Sequence, residues 1–171
     1  MSPRSGRGVE IEPLTSAHAA DVLAIYEEGI AARQATFETQ TPSWEEWDAA
    51  HLAACRLVAR AGEAVVGWAA LSPVSRRRCY SGVAEASVYV RASARGQGVG
   101  RALLEALIVA SEAHGIWTLQ GATFAENTAS LRLQERCGFR IVGRRERVAR
   151  LDGVWRDTVL SERRSCKVGN D

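Results

Sequence analysis

Between Val9 and Leu14 the chain alternates apolar with polar residues, the period of a strand that buries one face. The period then lengthens. Ala20, Leu23, Ala24, Ile30 and Ala31 fall on one helical stripe behind Thr15 or Ser16, either of which can cap a helix. The stretch "QATFETQTP" interrupts that stripe, and "SWEE", starting at Ser43, is a capping box that predicts a second helix from Trp44 to about Ala54. Two β-rich runs in "RLVARAGEAVVGWAALS" meet at Ala61, Gly62 and Glu63, a hairpin signal. After the loop "PVSRRRCYSG", residues 83–90 alternate again, with Glu85, Ser87 and Tyr89 on one face and Ala86, Val88 and Val90 on the other.

The second half reads as cleanly. Residues 98–114 form a strongly apolar helical pattern closed by Gly115 as a left-handed cap. "IWTLQGATF" is the next strand, and "NTASLRLQERC" a helix from Asn127 that stops at Gly138. Two strands, 139–148 and 154–162, turn about Asp152 and Gly153, an Asp-Gly hairpin signal. The order β, α, α, three strands, then αβαβ and a final strand predicts an α/β (α+β) domain, a mixed sheet covered by helices. One domain is expected over 9–164, with flexible ends at 1–8 and 165–171.

At 171 residues the chain is long enough to bury a single core without disulfide staples. Its formal charge of +2 is too small to imply a nucleic-acid partner, which requires many clustered cations. Four scattered cysteines form no CxxC pair and no metal-ligand spacing with His18, His51 or His114, so they read as reduced thiols and no metal site is expected. The start "MSPRSGRGVE" has charge but no apolar run, neither a secretion signal nor a membrane anchor, and the cytoplasm is the expected location.

Chemistry is concentrated after Val90. Gly96, Gly98 and Gly100 permit a tight turn and an unobstructed backbone where a helix begins. The first amides of a helix lack internal partners and lie at the positive end of its dipole, so a pyrophosphate suits the loop. A P-loop would need Gly-Lys-Ser/Thr, whereas Gly100 precedes Arg101 and Ala102. The dinucleotide fingerprint would place its third glycine at Arg101 and an acidic residue after the following strand, and both are missing. A tight turn that holds nothing remains the bland alternative.

The spacing that fits is Arg95, Gly98 and Gly100, which resembles the R/Q-x-x-G-x-G/A signature of the GNAT acyltransferases. With "IYEEGIAARQATFET", "VAEASVYVRASARGQGVGRALL" and "ENTASLRLQERCGFRIVG" in order, the chain from Val9 to Arg163 resembles the phosphinothricin and methionine sulfoximine N-acetyltransferase branch. The resemblance implies a mixed, mostly antiparallel sheet whose splayed strands hold acetyl-CoA. It implies that Arg95, Gly96, Gln97, Gly98, Val99, Gly100 and Arg101 bind the pyrophosphate, and that the backbone of Val88, Tyr89 and Val90 pairs with the pantetheine arm. Asn127 and Ser130 match cofactor-contacting positions, although Asn127 is equally a good helix cap. A homodimer is also implied.

Transfer to an amine requires its neutral form, and aliphatic amines ionise near ~9–10, so a base is needed. Glu85, flanked by apolar residues, matches the branch's glutamate; a surface carboxylate on an alternating strand is the alternative. Direct attack through a tetrahedral intermediate would use a donor near the Val88 amide. Tyr89 is the candidate proton donor to the leaving thiolate, or else an aromatic packed on the sheet. Cys79 and Cys137 lack a histidine partner and read as packing residues. Where some members of the family carry a histidine, this chain has Gln134, which cannot titrate. Arg76, Arg77 and Arg78 are candidates to hold an acidic acceptor, or a solvated loop, or a weak site for the cofactor's 3′-phosphate. Phe37 and Glu38 resemble the segment that closes over the acceptor. The expected activity is acetyl transfer to a small amino-acid-like amine. A polyamine, a protein N-terminus or a non-catalytic acyl-CoA-binding role are the rivals.

Overall fold

A computed structural model describes residues 8–170. Seven strands form one sheet in the order β1-β2-β3-β4-β5-β7-β6: β1 (Glu10–Pro13), β2 (Leu57–Ala61), β3 (Ala64–Pro73), β4 (Val83–Val90), β5 (Thr118–Phe124), β6 (Arg140–Leu151) and β7 (Val154–Arg164). Every neighbouring pair is antiparallel except β4 and β5, which the apolar helix α3 (Val99–Ala113) joins by a crossover. The mixed, mostly antiparallel sheet expected for the resemblance is therefore present.

Helices cover both faces. The first, α1 (Ala19–Ala31), follows one 3-10 turn at Ser16–His18, and with α2 (Trp44–Ala50) it packs Val22, Ile25 and Trp47 against Val58, Trp68 and Ala70. On the other face α3 buries Leu103, Leu104 and Leu107 against Ala69, Leu71 and Ala84, and α4 (Thr128–Arg136) adds Leu133. The alternation along β4 sorts as its sequence predicts: Ala86, Val88 and Val90 join the α3 side and Tyr89 the α1 side. No helix among the described residues is long and apolar enough to cross a membrane.

Three expectations change. The buried stripe of α1 is Val22, Ile25, Gly29 and Ile30, while Ala20 and Ala31 are exposed. Gly29 packs against the Tyr89 ring, where a Cβ would lie at 2.7 Å, so only glycine fits there. The second helix stops at Ala50 rather than near Ala54: Arg56 donates to the carbonyls of Asp48 (3.0 Å), His51 (2.9 Å) and Leu52 (2.6 Å), satisfying acceptors that a longer helix would have used. The C-terminal residues, expected as a free end, fold back on α3, where buried Ser165 donates to the Glu112 carboxylate (2.9 Å) and Lys167 reaches it at 3.2 Å. Most of the expected N-terminal extension, residues 1–7, lies outside the described residues, as does Asp171.

Candidate active site

β4 and β5 pair only over Val83–Glu85 and Thr118–Gln120. Beyond that point β4 stays with β3 as far as Val90 and β5 stays with β7 as far as Phe124, so the sheet splits. A cavity of about 750 Å³ fills the split, walled by residues 85–90 of β4 and 121–124 of β5. Main-chain direction alternates along β4: the Arg91 N–H donates to Val66 O across to β3, and Gly82 O accepts from the Trp117 N–H beside β5 (both 2.8 Å). Even-numbered residues therefore face β5, and Ala86, Val88 and Val90 aim their N–H and C=O groups into the cleft. Tyr89, expected to offer its backbone too, is turned toward Trp68 on β3, and only its side chain reaches the cavity. The two-residue period of a strand forbids three consecutive residues from facing one edge.

The glycine loop closes one end. Gly96 (φ 74°) and Gly98 (φ 83°) adopt the left-handed conformation, and a Cβ on either would meet nothing within 4 Å, so backbone angle and open approach set the requirement. The first backbone bond of α3 runs from Ala102 N–H to Gly98 O (3.0 Å), and the amides of residues 96–101 find no protein acceptor among the described residues. Arg95, Val99 and Gly100 line the cavity. Gln97 and Arg101 do not: the Gln97 amide donates to Ser93 O (3.0 Å) and Arg101 pairs with Glu105 (2.7 Å). Arg91 fixes the approach to the loop by bridging Asp21 and Glu28 (both 3.1 Å), and Glu28 also accepts the Ala92 N–H (2.8 Å).

At the vertex, on the α1 side of the sheet, stands Glu85. Burial pushes its carboxyl above the ordinary range, while the Gln120 side chain and the Arg145 charge act in the opposite sense. The segment after α1 roofs this side: Phe37 meets Phe124 edge-on at 4.8 Å, Arg33 pairs with Asp152 (3.0 Å), and Arg156 donates to Arg33 O (3.3 Å). Glu38 also lines the cavity. Tyr89 stacks on Trp68 (4.8 Å) and meets Tyr26 edge-on (5.0 Å); burial drives its phenol well above the usual tyrosine range. Arg76, Arg77 and Arg78 are not brought here. All three are exposed on the β3–β4 connection, outside the cavity wall, with Arg77 resting over the Tyr80 ring at 5.6 Å.

On the α4 side, Asn127 lines the cavity but uses both amide atoms within the protein: Oδ1 accepts the Ser130 N–H (3.2 Å) and Nδ2 donates to Gln34 O (3.0 Å). Its geometry is that of a helix cap that also clamps the roof. Gln134 sits in a neutral network, donating to Thr123 Oγ1 (2.8 Å) and accepting from the Ser161 hydroxyl (2.5 Å), with Ser130 Oγ at 3.5 Å. Gly121 makes room for it, since a Cβ there would lie 2.9 Å from Oε1. Thr123 and Thr158 line this cavity and Gln120 pairs with Glu85, none of them apparent from sequence; each arrives through strand pairing rather than a local motif.

Residues 22–139 match the acetyltransferase (GNAT) family. The phosphinothricin N-acetyltransferase of Alcaligenes faecalis is 35% identical over 153 residues, covering 83% of this chain and 75% of that one. The L-methionine sulfoximine/L-methionine sulfone acetyltransferase of Pseudomonas aeruginosa is 37% identical over 102 residues, 60% of this chain and 59% of that one. Among solved structures, a GNAT superfamily phosphinothricin acetyltransferase from Sinorhizobium meliloti in complex with AcCoA superposes with a TM-score of 0.85 at 25% identity, covering 95% of this chain and 91% of that one. A split sheet, a glycine-rich helix start with free amides and a match over most of the domain lead to one assignment: the chain belongs to the acetyltransferase (GNAT) family.

Proposed function

We propose that the protein moves an acetyl group from acetyl-CoA to the α-amine of a small amino-acid-like acceptor of the phosphinothricin or methionine sulfone type, with Glu85 as general base. The observation that carries the reading is the position of Glu85 at the vertex of the β4–β5 split, inside the same cavity as the glycine loop.

The residues present fit the donor. Free amides between Gly96 and Arg101, at the start of α3, suit a diphosphate, and the unpaired edge of β4 at Ala86, Val88 and Val90 suits an extended chain containing amides. Bound there, acetyl-CoA supplies an activated acetyl thioester. Glu85, its affinity for protons raised by burial, takes the proton that the attacking amine sheds. The Val88 N–H, directed into the cleft, is the donor assigned to the oxygen on which negative charge develops. Tyr89 holds its proton too tightly to be a ready acid, so it serves as wall and hydrogen-bond donor. Gln134, neutral and held on both sides, orients Thr123 and Ser161 and moves no proton.

Release of free CoA, followed against a panel of amino acids and amines, tests the reading. It expects turnover with phosphinothricin or methionine sulfone and loss of that turnover in Glu85→Gln. Because Glu38 and Glu85 line the cavity and Arg76–Arg78 do not, brisk turnover of a polyamine with none of any amino acid would replace it by the polyamine reading.

A further inference from the structure

We propose that Arg145 and Thr158, cross-strand neighbours on β6 and β7, hold the side-chain anion of the acceptor and so favour acidic over neutral amino acids. The inference rests on the function proposed above.

Strand register brings the two residues to the Glu85 side of the sheet. Glu85 pairs with Gln120, Phe124 pairs with Thr158, and Thr158 pairs with Arg145. Residues 120, 122 and 124 share a face and paired residues point the same way, so Glu85, Phe124, Thr158 and Arg145 share it too. Thr158 is 4% exposed and lines the cavity, yet its hydroxyl has no partner among the described residues. A buried hydroxyl in that state is completed by a guest that accepts its proton.

Arg145, exposed on β6 just outside the cavity wall but paired with the cavity-lining Thr158, supplies the charge. The register of β6 slips between Arg145 and Ala149, a bulge held by Asp157, which accepts the Arg147 N–H and an Arg144 N–H (both 2.8 Å). The neighbouring cations are neutralised, Arg144 by Asp157 and Arg156 by Glu126, whereas Arg145 has no carboxylate partner among the described residues. Its field reaches the Glu85 carboxyl. β6 lies two strands beyond β5, so the guanidinium addresses the far end of an acceptor whose amine sits by Glu85, rather than the α-carboxylate. The charged residues that do line the cavity on this side, Glu38 and Glu85, would repel that anion.

Steady-state kinetics with phosphinothricin, whose side chain is anionic, and methionine sulfone, whose side chain is neutral, separate the outcomes. Measured above the acid limb of the pH profile, Arg145→Gln should raise KM for phosphinothricin about ten- to a hundredfold and leave kcat and both the acetyl-CoA and methionine sulfone KM values unchanged. Thr158→Val, which preserves shape, should raise the same KM about fivefold, and Arg145→Lys should recover part of the loss. Loss of the cation should also move the acid limb of kcat/KM to higher pH. Equal effects on both acceptors, or none, overturn the inference and leave the proposed function standing. A wild-type enzyme that acetylates neither acceptor overturns both.

Discussion

Glu85 on β4 and Gln120 on β5 are the last two residues held in register before their strands part, so the Gln120 side chain lies beside the Glu85 carboxyl and favours its charged form against the desolvation that raises its pKa. The only parallel ladder of the sheet thus ends on a desolvated acid. Parallel strands joined by a helix converge on one side of the crossover and can diverge on the other, and here the divergence carries the N–H groups of β4 away from any partner. The candidate base and the candidate donor site are products of one break in pairing.

Glu85→Gln should lower kcat/KM about a hundred- to ten-thousandfold while acetyl-CoA still binds, as calorimetry would report. Activity of the native enzyme should rise with pH through the elevated Glu85 pKa, and that limb should vanish in the variant. Stability moves the other way. A carboxyl whose folded pKa is raised stabilises the fold below its unfolded value and loses that contribution as pH climbs through the folded one, so the glutamine variant should melt higher at neutral pH.

Gly98→Ala should cost about 1–2 kcal/mol, because the residue sits at φ 83°, and should weaken acetyl-CoA binding through the added Cβ. Gly143→Ala is the control: a Cβ there meets nothing within 4 Å and the backbone is not left-handed. Thermal melts and calorimetry on the pair separate loop chemistry from general loss of glycine.

Gln134→Leu should strand the buried Thr123 and Ser161 hydroxyls, at about 1–3 kcal/mol for each one left unsatisfied. Gln134→His, by contrast, places a titratable ring beside the cleft, and its kcat/KM profile should gain a second ionisation that the native enzyme lacks.

Glu112→Gln should destabilise the fold by about 1–2 kcal/mol, measured by denaturant melts. Burial opposes the Glu112 charge, but hydrogen bonds from Ser165, Arg163 and Lys167 outweigh it and hold the carboxyl below the usual range. A depressed folded pKa contributes stability above the unfolded value that is lost as pH falls through the folded one, so the native protein should lose this increment on acidification and the variant should not.

Much of this was legible in the chain because the signals are local. The Asp152-Gly153 turn takes positive φ at both residues (49° and 79°), and Gly115 and Gly138 stop their helices in the left-handed conformation, as read from sequence. The alternation of β4 likewise sorted its side chains correctly. The failures have a common cause. The second helix ends early on account of Arg56, Gly29 of the α1 stripe is set by the Tyr89 ring, and Arg76–Arg78 lie outside the cavity wall because a loop's course depends on what its flanking strands pair with. Gln120, Thr158 and Arg145 come to the Glu85 face of the sheet, and Thr123 to the Gln134 face, through the order β4-β5-β7-β6, a long-range fact that no spacing in the sequence encodes.

Among the described residues, strand pairing joins β1 to β4 with β5 to β7 only through a three-residue seam between Val83–Glu85 and Thr118–Gln120, continued by Gly82 O, which accepts from the Trp117 and Thr118 N–H groups. A guest lying along the open edges would act as a splint across two half-sheets. Melting temperature then becomes a gauge of occupancy: donor at a hundred times its Kd should add about 2.7 kcal/mol to the whole fold, with hydrogen exchange slowing first in residues 86–90 and 121–124.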